Sequence, residues 1–238
     1  LGLRMVCKFL KLCGFSGEVL KTAWRGNFRH LLALNRDIML RSLLLQLCFG
    51  AITVLGARLG SDIIAVNAVL MTLLTFTAYA LDGFAYAVEA HSGQAYGARD
   101  GSQLLDVWRA ACRQSGIVAL LFSVVYLLAG EHIIALLTSL TQIQQLADRY
   151  LIWQVILPLV GVWCYLLDGM FIGATRAAEM RNSMAVAAAG FTLTLLTLPW
   201  LGNHGLWLAL TVFLALRGLS LAAIWRRHWR NDTWFVAT

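Results

Sequence analysis

A chain of 238 residues in which 60% are hydrophobic and only 13% charged is not an ordinary soluble domain, where about 25% are charged. Its mean hydropathy of +0.72 leaves too little polar surface to cover a core in water. The formal net charge of +7 does not mark a nucleic-acid binder, because the basic residues stand in clusters between apolar stretches and no folded basic domain is set apart.

A transmembrane helix takes about 20 apolar residues, and the chain divides on that scale. Residues 1–37 carry Arg4, Lys8, Lys11, Lys21, Arg25, Arg29 and Arg36 and are too polar to span; they read as a basic linker with amphipathic helical pieces at the interface. Spans are predicted over 38–57, 63–90, 110–130, 146–173, 183–201 and 205–225, and residues 226–238 form a tail. The apolar runs are continuous rather than alternating, which favours helices over a barrel. The expected fold is therefore an all-α integral membrane bundle of six transmembrane helices within 38–225. Ala185, Ala187, Ala188, Ala189 and Gly190 permit close helix contact in the fifth span. Pro158 is expected to kink the fourth, while Pro199 lies near a helix end.

Lysine and arginine set the topology. Nearly all of them fall in the two terminal segments and in alternate loops (Arg99, Arg109 and Arg113; Arg176 and Arg181), while the opposite loops hold only Arg58 and Arg149. Both ends are therefore expected in the cytoplasm. The chain starts Leu-Gly-Leu-Arg with no signal-peptide pattern, and is expected to begin partway through a longer protein. Cys7, Cys13, Cys48, Cys112 and Cys164 lack zinc-site spacing and read as reduced thiols, with no metal site. His30, His91, His132, His204 and His228 fall at loops or interfaces and are expected to be solvated.

A charge inside a bilayer costs roughly 2.5–3.5 kcal/mol on insertion scales and is a functional candidate by default. Asp168 stands about six residues, or about 9 Å, from the middle of the fourth span, too deep for a short side chain to reach the interface. Asp82 lies in the second span with Glu89 two turns further on. Arg217 is near the middle of the last span and Gln46 is central in the first. Each has a plainer reading: Arg41 and Glu89 snorkel to the headgroups, Arg217 forms a structural ion pair, and Gln46 bonds between helices. A carboxylate in such a setting can carry a proton, bind a sodium ion or face a cationic substrate, and the residues alone leave these open. Asp168→Asn is expected to abolish activity without loss of folding, and Arg217→Ala to lower expression.

Three stretches carry a resemblance: GQAYGARD at 93–100, LLTSLTQIQQLADRYL at 136–151 and DGMFIGATRAAEMRNSM at 168–184. With the order in which they occur, the chain resembles the second half of the multidrug and toxic compound extrusion (MATE) family, in its DinF-like bacterial branch. The resemblance implies one lobe of a twelve-helix transporter of the bacterial inner membrane: the linking loop and C-terminal bundle, facing an N-terminal six-helix lobe across a central cavity. It implies exchange of H+ or Na+ for amphipathic, often cationic compounds by alternating access, with no resident cofactor. Asp168 would correspond to the family's carboxylate in the tenth helix, and the glutamate of the seventh helix is replaced near Gln46. Gly93, Gln94, Gly97 and Arg99 would belong to a cytoplasmic motif. Rival readings are a flippase for lipid-linked precursors, a structural membrane subunit, and a phosphatidyl transferase suggested by LDG at 81–83 and 167–169; the last lacks the clustered aspartates needed to hold its metal.

Overall fold

In hydrocarbon every backbone polar group needs a partner within the protein, and the described residues meet the demand by being helical almost throughout. The computed structural model describes residues 28–235; most of the expected basic linker, 1–27, lies outside the described residues. The elements are α1 (Phe28–Arg58), α2 (Ser61–Ala98), α3 (Gly101–Leu137), α4 (Thr141–Asp148), α5 (Leu151–Gly173), α6 (Ala177–Thr194), a 3-10 turn (Leu195–Thr197), α7 (Leu198–Leu201) and α8 (Asn203–Arg230). Among the described residues, six helical stretches are long and apolar enough to cross a membrane: α1, α2, α3, α5, α6 with its continuation to Leu201, and α8. The chain is a multi-pass membrane protein.

The helices outrun the predicted spans, because hydropathy marks only the portion that lipid covers. α1 starts at Phe28 rather than 38, and α8 runs on to Arg230. Between α2 and α3 the boundary is set by caps. Arg99 turns left-handed (φ 53), the Asp100 amide bonds back to the Ala95 carbonyl at 2.9 Å, and Asp100 Oδ1 accepts from the amides of Ser102 (2.9 Å) and Gln103 (3.0 Å). The left-handed residue ends one helix and the aspartate starts the next. The fourth span, expected from 146, is instead two helices. α4 is a short amphipathic piece that buries Ile143 and Ala147, and α5 begins only at Leu151, after the charged pair Asp148 and Arg149.

α5 is the centre of the bundle. Its apolar character extends all round, as befits a helix enclosed by others, and it packs against α2, α3 and α8. The α2–α5 crossing is closed by glycine. Gly169 lies directly against the Ala85 carbonyl, and a Cβ at Gly173 would come within 2.5 Å of the Glu89 carbonyl oxygen and 2.9 Å of the Gly93 amide nitrogen. Pro158 sits inside α5, where it removes a backbone donor; nearby, Ser123 of α3 donates to the Val155 carbonyl at 2.7 Å. Asn67 of α2 and Asn203 of α8 exchange amide bonds of 2.8 and 2.9 Å, and Trp207 Nε1 donates to Asn67 Oδ1 at 3.0 Å. α1 packs mainly on α6 and only lightly on α2, which leaves a gap between the first two helices with α5 and α8 behind it.

Candidate functional site

The residues that face this gap are fixed by helical register. On α1, Arg41, Leu45 and Phe49 recur at four-residue spacing and share one face; on α2 the corresponding positions are Ala78, Asp82, Ala85 and Glu89. Together with Tyr165, Asp168 and Gly169 of α5 and Leu214 and Arg217 of α8, they line a cavity of about 380 Å³. Four of the five expected site residues thus meet in one place: Asp168, Asp82, Glu89 and Arg217.

The floor of the cavity is an ion triad. Asp168 Oδ2 accepts from Arg41 Nη2 at 3.0 Å and also pairs with Arg217 Nη2. Asp168 and Arg217 are buried, at 6% and 5% exposure. Arg217 is also held through its backbone, since its carbonyl accepts from Ser183 Oγ (3.2 Å) and Ser220 Oγ (3.1 Å). Asp82 and Glu89 line the α2 side of the cavity, half-buried, and among the described residues neither carboxylate has a hydrogen-bond or ion-pair partner. Tyr86 and Tyr165 add aromatic surface, which suits an amphipathic cation.

Arg41 does not snorkel: its guanidinium turns inward onto Asp168. Gln46 is exposed and is absent from the cavity lining, because five residues at 100° each carry it about 140° round the helix from Arg41. Of the motif residues, Gly93 serves the close α2–α5 approach and Arg99 is the left-handed cap. Gln94 and Gly97 are exposed on the last turns of α2.

A second polar cluster, unforeseen from sequence, ties the end of the chain to the face of the bundle that holds both described ends. Arg176, 3% exposed, donates to Glu179 Oε1 at 2.8 Å and to the carbonyls of Thr233 and Trp234 at 2.9 Å each. Its guanidinium also lies 5.0 Å from the centre of the Trp234 ring. His228 bridges Glu179 Oε1 (2.8 Å) and Thr233 Oγ1 (2.7 Å), so it is not a solvated histidine. Nor is His204, which accepts from Trp153 Nε1 at 3.0 Å and packs on Tyr150 at 4.6 Å. The signal for the Arg176 cluster was the tryptophan-rich end of the chain, where an apolar Trp234 beyond the last helix needs something to cover it.

These features define a polytopic α-helical membrane protein with a charged cavity sunk among its helices. The chain matches the family described as MatE over residues 38–201 and belongs to it. It is 94% identical over 238 residues to DNA damage-inducible protein F of Escherichia coli (strain K12), covering 100% of this chain and 52% of that protein. It also superposes on a solved structure described as "Crystal structure of MATE in the bent conformation", with a TM-score of 0.74 at 16% identity, covering 86% of this chain and 46% of that one. The chain thus spans about half the length of these relatives.

Proposed function

We propose that the chain is the C-terminal lobe of a cation-coupled efflux antiporter of the bacterial inner membrane. In this reading it faces an N-terminal six-helix lobe, with both ends in the cytoplasm, and exports amphipathic, often cationic compounds by alternating access in exchange for H+ or Na+. The observation that carries the reading is the cavity between α1 and α2, in which Asp82 and Glu89 have no bonded partner among the described residues. An unpartnered carboxylate at that depth is costly unless a cation visits it. Membership of the MatE family and the fold shared with a solved MATE structure support the transport reading.

The division of labour between the carboxylates follows from their partners. Asp168 is engaged by two guanidinium groups and holds the arginines while the cavity is empty. Asp82 and Glu89 are open to the coupling ion, and together with Asp168 they make the cavity acidic enough to draw in a cationic compound. The test uses the complete protein in proteoliposomes, loaded with a cationic dye and driven by an imposed pH gradient or, separately, a Na+ gradient. Asp82→Asn should abolish gradient-driven dye movement with the protein still folded. Dye movement at the wild-type rate in Asp82→Asn and Glu89→Gln together would refute the assignment, and movement of lipid-linked precursors in place of dye would favour a flippase.

A further inference from the structure

The charges around the cavity do not balance. Its lining holds two arginines, Arg41 and Arg217, against three carboxylates, Asp82, Glu89 and Asp168. With all five ionised, the described lining is one positive charge short of neutrality, which is the charge of a single monovalent cation.

The two arginines are not equivalent. Arg217 is walled in on α8, with 6% of its side chain exposed, and its backbone is bonded from α6; Arg41 stands at the edge of the gap, with 18% of its side chain exposed. Both guanidinium groups address the same oxygen, Asp168 Oδ2, so one acceptor serves two cations. The Arg41 Nε is buried and has no hydrogen-bond partner among the described residues. Across the gap, Asp82 lies within electrostatic range of both arginines and has no bonded partner among the described residues. Arg41 therefore has a second carboxylate within electrostatic range, and Asp82 is ion-paired to neither arginine among the described residues.

We infer that Arg41 is a tethered competitor of the exported cation: it occupies the outer side of Asp168, and an arriving monocation displaces its guanidinium toward Asp82. Like charges crowded at one site repel strongly when water is excluded. An entering cation and the Arg41 guanidinium cannot both lie against Asp168, whereas the cluster as a whole accommodates one more positive charge. Arg41 thereby selects for monovalent over divalent cargo and lowers affinity for cations relative to neutral compounds. This rests on the transport reading above and adds to it the identity of the group that the cargo must move.

The test compares binding of a monovalent cationic aromatic dye, ethidium, with that of a neutral aromatic dye, Nile red, by fluorescence in the complete detergent-solubilised protein. Arg41→Met should shift the ratio of the two affinities about tenfold toward the cation, and Arg41→Lys, which keeps the charge, should leave the ratio near wild type. Should Arg41→Met fail to fold, Arg41→Gln removes the charge while keeping a hydrogen-bonding head and is expected to give the same shift. If the wild type binds ethidium and the neutral variant leaves the ratio unchanged, the competitor role is overturned and the transport reading stands. If neither the wild type nor any variant binds a cationic dye, the transport reading itself falls and the competitor role falls with it. A purely structural role for Arg41 would weaken both dyes together and leave the ratio where it was.

Discussion

Arg41 on α1 and Asp168 on α5 lie 127 residues apart in sequence, and Arg41 Nη2 donates to Asp168 Oδ2 at 3.0 Å. Arg217 engages the same oxygen, so a single carboxylate joins three helices. Asp168→Asn would leave two guanidinium groups facing a neutral amide, and breaking a buried pair in this way costs about 3–5 kcal/mol. The substitution is therefore expected to lower the folded yield and the melting temperature in detergent, in contrast to the intact folding expected from sequence alone. Arg217→Met should be milder, because Arg41 still answers Asp168. Differential scanning fluorimetry of the two variants checks the order, and an Asp168→Asn protein as stable as wild type would contradict it.

What could be read in the sequence follows from what hydropathy measures. Six spans are legible because each must present about 20 apolar residues to lipid, and the described residues contain six such helices. Their ends are not, because polar turns beyond the lipid stay helical until a cap intervenes, as at Arg99 and Asp100. Asp168, Asp82, Glu89 and Arg217 stood out because each is costly in hydrocarbon, and they do converge. Arg41 was hidden by the opposite logic: a long cationic side chain near a helix end has a cheap route to the headgroups. Its inward rotamer is decided by Asp168 on another helix. Gln46 was misplaced because α1 is apolar on several sides, with Leu43, Leu47 and Val54 all exposed, so its own residues do not reveal which face meets the bundle.

The glycines at the α2–α5 crossing lend themselves to a paired test. A methyl group at Gly169 would run into the Ala85 backbone carbonyl, whereas one at Gly97 meets nothing within 4 Å. Backbone cannot step aside as a flexible side chain can, and overpacking of this kind costs about 1–3 kcal/mol. Gly169→Ala should therefore destabilise the protein, while Gly97→Ala should be neutral or add up to about 1 kcal/mol through its effect on chain entropy. Urea or thermal unfolding of the two variants separates the outcomes. Equal stability would mean that the helices do not approach as closely as the structure places them.

Two aspartates at helix ends should give opposite pH trends. Burial, with Glu131 nearby, raises the Asp148 carboxyl above the ordinary carboxylate range. Its ionisation therefore opposes folding: the penalty is absent below the unfolded pKa and grows as pH rises through the folded one. Asp148→Asn should melt higher than wild type at neutral pH, and the two should converge in acid. Asp100 is the reverse case, since the amide of Gln103 and the hydroxyl and amide of Ser102 hold its carboxyl below that range. Its contribution is present above the unfolded pKa and is lost as pH falls through the folded one. Asp100→Ala should melt lower at neutral pH, with the gap closing in acid. Melting curves of both variants across that range test the signs.

Arg176 clamps the last described residues to the bundle. A planar guanidinium can send parallel donors to several acceptors while stacking on an aromatic ring, which a lysine ammonium cannot reproduce. Arg176 does this with Glu179, the Thr233 and Trp234 carbonyls and the Trp234 indole, while Phe171 meets the same indole edge-on at 5.2 Å. Arg176→Ala should release residues 231–235 from the bundle: their amide exchange should approach that of an open chain, and cleavage by trypsin after Arg230 should accelerate. Arg176→Lys should recover little of this, because one ammonium cannot span both carbonyls and the carboxylate at once. Hydrogen bonds to charged groups contribute about 1.5–3 kcal/mol each, so a segment held by two of them, at Thr233 and Trp234, should not remain protected once the guanidinium is removed. Unchanged exchange at Trp234 in Arg176→Ala would mean that burial of the indole against Phe171 holds the segment by itself.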